Sequence, residues 1–188
     1  VGADGTYAAT IPAGAVGPFV FEVDNGSEKI YSVLPDRTSN VVNVTPLSNL
    51  IAAKLSATGN PSTLASELAA STATISSATT IAATTTVMTA LQPLATALGL
   101  GTSVNPLTAT FSANGTGLDR MLDSLDVKIE PKGTASQIEI TMKQSVDENQ
   151  DLPKISFAHN ATPSALPTVD PTKLVSTGLT PKIQALLD

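Results

Sequence analysis

Cysteine is missing from the 188-residue chain, and so is tryptophan. The first absence excludes disulfides, thiolate nucleophiles and any zinc site built on Cys. Histidine occurs once, at His159, in a polar stretch beside Asn160. A Ser-His-Asp triad needs a buried, oriented imidazole, and a lone histidine in such a stretch reads as a surface loop residue. No G-x-S-x-G elbow surrounds a serine, and no glycine-rich loop carries the lysine a phosphate cradle requires. Aromatic residues make up 3% of the chain, too few for the stacking platforms of a carbohydrate cleft. Charged residues are 14%, against about 25% in ordinary soluble domains. The ten Lys and Arg are scattered along a chain of net charge −6, so there is no basic footprint for nucleic acid or an anionic membrane surface. No uninterrupted apolar run approaches the roughly 20 residues that span a bilayer.

What fills these gaps is Ala, Thr and Ser. Hydrophobic residues are 41% and the mean hydropathy is +0.17, which excludes disorder from low hydrophobicity. Small residues bury little area each, so many modest contacts must hold the fold. The length suits one good core or two small ones. A charge-poor, cysteine-free, Thr/Ser-rich composition fits an extracytoplasmic chain. Val1-Gly2-Ala3-Asp4-Gly5 already reads as a turn, so the chain is expected to begin inside a longer precursor.

Alternation places three short strands near the N-terminus. Tyr7, Ala9 and Ile11 share one face of residues 6–12, and Phe19, Phe21 and Val23 share one face of residues 19–23. Asp24-Asn25-Gly26-Ser27 is a hairpin signal, and residues 30–34 return as the next strand. Val41, Val42 and Val44 can complete the sheet. Thr45-Pro46 then reads as an N-cap followed by proline at the first helical position, with Leu47, Leu50, Ile51 and Leu55 on one helical face. Gly59-Asn60-Pro61 ends that helix and starts another, with Leu64 and Leu68 inward. Residues 74–98 carry Ile81, Met88, Leu91, Ala95 and Leu98 at helical spacing, with Thr80, Thr84 and Thr86 opposite, and Pro93 should kink or split the helix. Thr116 to Asp119 resembles a capping box with Asp in place of Glu. It opens a short helix with Leu118, Met121, Leu122 and Leu125. Val127 and Ile129, then Ile138, Ile140 and Met142, define a hairpin around Pro131-Lys132-Gly133. Residues 147–171 are polar and punctuated by proline, a linker or a surface strap, and residues 181–188 begin a further helix.

The stretches DGTYAATIPAGAVGPFVFEVDN, VNVTPLSNLIAAKL, ANGTGLDRMLDSLDVKIEP and ASQIEITMK carry a resemblance. The first resembles the closing strands of carboxypeptidase-regulatory-like domains, which are transthyretin-like β-sandwiches. The others are similar to secreted proteins and lipoproteins of β-proteobacteria in which a partial sandwich leads into helices and a hairpin. The resemblance covers most of residues 4–143. It implies a bacterial extracytoplasmic or surface location and a supporting or adhesive role, with no peptidase residues to carry over.

The expected architecture is α+β: a partial antiparallel β-sandwich at 1–45, a small helical layer at 46–125, a β-hairpin at 126–146, and an extended tail at 147–188. The sequence points to a non-catalytic structural or presentation module, with no catalytic residue and no required cofactor. Asp147, Glu148 and Asp151 are a candidate calcium loop, since they cluster oxygen ligands that suit a hard cation, although the EF-hand spacing is missing. Glu130 and Glu139 oppose each other on the wet face of the hairpin. A ligand- or glycan-binding module would have a pocket lined by Phe19, Phe21, Met88, Phe111 and Met121. A subunit of an extracellular assembly would pair through an exposed strand near residues 4–12. The expected partners are another protein, the chain's own flanking domains or a second copy. Four glycosylation sequons occur, at Asn25, Asn43, Asn114 and Asn160, and Asn-Gly turn chemistry accounts for two of them.

Overall fold

Thr45 and Pro46 set the start of the first helix. In the computed structural model, which describes residues 5–24, 26, 28–101, 103–132, 134–143 and 153–174, helix α1 runs over Pro46–Leu55. The Thr45 hydroxyl accepts from the Ser48 amide and the Ser48 hydroxyl accepts from the Thr45 amide, a closed capping box. Leu47, Leu50 and Ile51 are fully buried along its inner face.

Two small antiparallel sheets flank this helix. The first pairs β1 (Phe19–Asp24) with β2 (Lys29–Leu34) in a register running from Phe19 opposite Leu34 to Asp24 opposite Lys29. Alternation sends Tyr31 and Val33 to the side covered by α1, where the Ser48 hydroxyl donates to the Tyr31 carbonyl and the Tyr31 amide donates to Asn49. Phe21, Val23 and Leu34 face the other way. The second sheet has the order β3-β4-β5, with β3 at Leu125–Lys132, β4 at Ala135–Met142 and β5 at Lys154–Ala158. Ile138 lies opposite both Ile129 and Phe157, and Ile140 opposite both Val127 and Ile155, so one face is apolar across all three strands.

Four further helices and two capped 3-10 turns complete the fold among the described residues. One 3-10 turn, at Pro61–Thr63, leads into α2 (Leu64–Ala69), and the other lies at Pro171–Lys173. Helix α3 (Ser77–Ala90) is separated at Leu91 from α4 (Gln92–Ala97), because Pro93 has no amide with which to continue the hydrogen-bond ladder. Helix α5 covers Gly117–Asp123. One continuous hydrophobic cluster joins Val33, Leu50, Leu64, Leu91, Met121 and Ile140, so hairpin, helices and second sheet share a single core.

The architecture is thus α+β, and four local expectations are corrected. Residues 6–12 and 41–44 lie outside any sheet; Asn43 instead donates its backbone amide to Leu107 and its side-chain amide to the carbonyls of Pro106 and Ala109. The segment read as a linker contains β5, whose Ile155 and Phe157 are buried, and the chain beyond it crosses the helices with Leu166, Val169 and Leu174 inward. That crossing is pinned where the Leu166 amide donates to Ala90 and the Lys54 ammonium donates to Ala161. Helix α3 is rotated relative to the expected face. Thr80, Ala83, Thr84, Val87, Met88 and Leu91 point inward at helical spacing, while Ile81 is 64% exposed. Thr116 makes no side-chain cap to α5; Asp119 accepts instead from the Asn114 and Gly115 amides. Residues 181–188 lie outside the described residues.

Candidate functional site

The face of the β1–β2 sheet turned away from α1 is the floor of an open groove of about 840 Å³. Phe21, Val23 and Leu34 form that floor because they alternate to the same side of the hairpin. One wall is the extended segment 41–44, held upright by the Asn43 bonds to the 106–109 loop and extended by Phe111. The opposite wall is an N-terminal strap, residues 5–15, that belongs to no sheet.

Tyr7 and Arg37 tie this strap down. The Tyr7 hydroxyl donates across the groove to the Val42 carbonyl at 2.6 Å, and partial burial pushes its phenol above the ordinary value. The Arg37 guanidinium donates to the carbonyls of Ile11, Pro12 and Ala15, at 3.4, 3.4 and 3.5 Å. Those contacts lie beyond the 2.7–3.2 Å of well-formed N–H···O bonds, about as long as such bonds can be. Asp36, next in the chain, has its carboxylate occupied elsewhere. It accepts from the Thr38 hydroxyl and amide and from the Ser77 hydroxyl, and these bonds hold its carboxyl below the usual range. Among the described residues no carboxylate makes an ion pair with Arg37. Gly17 shapes the turn behind the groove: a Cβ there would sit 2.5 Å from the Pro35 carbonyl oxygen.

Of the five expected pocket residues, the structure brings Phe21 and Phe111 together on the groove. Phe19 is partly buried and is not part of its lining. Met88 and Met121 belong to the core. Asp147, Glu148 and Asp151 lie outside the described residues, and among those described no group of three His, Asp or Glu could hold a metal ion. Glu130 and Glu139 are not directly opposed. Glu130 pairs with Gln137, and Glu139 pairs with Lys128 while facing the Lys154 ammonium at 3.4 Å. Of the sequons, Asn114 and Asn160 are exposed, and Asn25 falls outside the described residues. The Asn43 amide is already committed to two carbonyls, so a glycan there would displace wall-building bonds.

His159 is the clearest correction among single residues. It is 5% exposed, its ring lies against Gly59, and its Nδ1 accepts from the Ser136 amide at 3.3 Å. It docks the end of β5, where its own amide also donates to the Ser136 carbonyl. The neighbouring residue that sequence reasoning missed is Glu67, 7% exposed on α2. Burial alone would raise its carboxyl. It is lowered instead, because the Thr63, Thr58 and Ser56 hydroxyls and the Ala57 amide all donate to it. The signal for it was available locally: a run of hydroxyl residues at 56–63 followed, four residues after Thr63, by one isolated acid. This carboxylate folds the loop; it has no free oxygen facing the groove.

No family model matches the chain, and comparison with curated proteins and with solved structures finds no match either.

Proposed function

We propose that this chain is a non-catalytic structural and presentation module of a bacterial extracytoplasmic or cell-surface protein, acting through shape and contact. The lining of the groove carries that reading. Among the described residues its only ionisable side chains are Tyr7 and Arg37, so no carboxylate, imidazole or amine stands there to exchange protons or attack a substrate. The cysteine-free, charge-poor composition supports the extracytoplasmic placement. The open face of the β1–β2 sheet is where a second sheet would pack in a sandwich of the transthyretin-like kind that the resemblance of residues 4–25 implies.

The groove itself favours a second reading, a ligand-binding module. Its volume falls within the roughly 300–1,000 Å³ of small-ligand sites, and the rings of Phe21 and Phe111 converge on it. Native mass spectrometry of the chain, produced in a bacterial periplasm, tests the two together. A mass of 19.1 kDa with nothing bound supports a module acting by shape. A reproducible small excess shifts the weight to the ligand-binding reading. Turnover of a substrate by the same sample would overturn both.

A further inference from the structure

The protein carries a net charge of −6 and sixteen carboxylate residues, yet none of the described acids lines the groove. Its single charged side chain is a cation, Arg37. That cation has no carboxylate partner among the described residues, and its present acceptors are three neutral main-chain carbonyls at 3.4 to 3.5 Å. A carboxylate offers the guanidinium two parallel, charge-assisted bonds at about 2.7–2.9 Å, roughly twice as strong as neutral ones. With Arg37 the lining holds Phe21, Val23 and Leu34 on the floor and Val42 and Phe111 on the wall, together with neutral polar side chains such as Ser39, Asn40 and Thr110.

We propose that the groove binds an apolar monocarboxylic acid, with Arg37 gripping the carboxylate and the sheet face taking the hydrocarbon body. This inference rests on the ligand-binding reading and names its ligand class. Capture of the carboxylate draws Arg37 away from the carbonyls of Ile11, Pro12 and Ala15. The strap loses those three bonds while keeping the one from Tyr7 to Val42, so binding and strap loosening are coupled. Carboxylate recognition by Arg is insensitive to the rest of the ligand, whereas the apolar floor rewards length. Each added methylene is therefore expected to tighten binding about fourfold, the factor set by burying one CH₂.

The test is calorimetric titration of the chain with octanoate, decanoate, decanol and decylamine, with amide NMR shifts to locate the contact. Decanoate should bind one per chain, at least tenfold tighter than decanol, with decylamine weakest and shifts centred on Tyr7 and residues 41–44. Arg37→Gln, an exposed change that leaves the core intact, should erase the preference for decanoate over decanol. Equal binding of decanoate and decanol would overturn the carboxylate assignment and leave a groove for neutral apolar ligands, and a preference that survives Arg37→Gln would overturn the assignment of the carboxylate to Arg37. No binding of either compound would remove the ligand-binding reading along with the inference.

Discussion

Thr84→Val in α3 should stabilise the protein, because it removes a buried hydroxyl that has nothing to bond to. Thr80 and Thr84 lie one turn apart on the buried face of the helix, 5% and 9% exposed, and neither hydroxyl has a hydrogen-bond partner. A buried polar group left unpaired costs about 1–3 kcal/mol. Valine keeps the β-branched shape, replaces the hydroxyl by a methyl, and has a helix propensity close to that of threonine. The gain is therefore about 1–2 kcal/mol for Thr84→Val. For a chain of this length it reads as about 2–4 °C in Tm per kcal/mol. Urea unfolding should show a higher midpoint at an unchanged m-value, the sign that native stability alone has moved. Thr85 and Thr89 face solvent on the same helix, and valine there should change stability by less than about 0.5 kcal/mol. A loss of about 1 kcal/mol or more in Thr84→Val would refute the argument, because it would mean that the hydroxyl is bonded and that the helix face is set for polar reasons.

Glu67→Ala strands the donors of Ser56, Ala57, Thr58 and Thr63, and should cost about 3 kcal/mol by chemical denaturation. The carboxyl is lowered from 4.5 in the folded state, so its contribution is present above pH 4.5 and fades as pH falls through the folded value; a wild-type stability curve parallel to that of Glu67→Gln from about pH 7 to pH 3 would contradict this. Gly59→Ala places a Cβ 2.3 Å from His159 Cγ at a φ of +74°, so hydrogen exchange at Lys154–Ala158 should accelerate as β5 loosens, and unchanged protection there would show that the Gly59–His159 contact does not hold β5. Tyr7→Phe removes the bond to the Val42 carbonyl and should raise the rate of limited proteolysis within residues 5–15 severalfold, with Tm nearly unchanged because the strap lies outside the core; equal cleavage rates would show that the bond does not hold the strap.

Features that depend only on neighbours in the chain are legible in the sequence. Thr45-Pro46 caps and starts α1 by local hydrogen bonding, Pro93 interrupts a ladder within its own helix, and the alternation of Ile138, Ile140 and Met142 needs only the pleat of one strand. The rotation of α3 that brings Thr80 and Thr84 inward escapes any rule that counts threonine as polar. Burying Val87, Met88 and Leu91 together fixes the rotation of the helix, and Thr80 and Thr84 follow them inward whatever their hydroxyls prefer. Strand β5 is hidden because it offers only two buried residues, Ile155 and Phe157, in five, and its pairing with β4 is a long-range event.

The groove is half legible for the same reason. A pattern of period two assigns Phe21 to one face of a hairpin, but not what covers that face. Met88 and Met121 look like Phe111 in any hydropathy reading, and only the packing separates the two that fill the core from the one that lines the opening. Arg37 carries no local motif at all. Its meaning comes from what surrounds it: an adjacent Asp36 whose carboxylate is turned to Thr38 and Ser77, a strap that offers only carbonyls, and a lining without acids. Charge isolation of this kind is a property of the folded surface. A chain poor in charge overall makes it conspicuous, because a cation without a carboxylate partner then stands out against a background with few others to pair it.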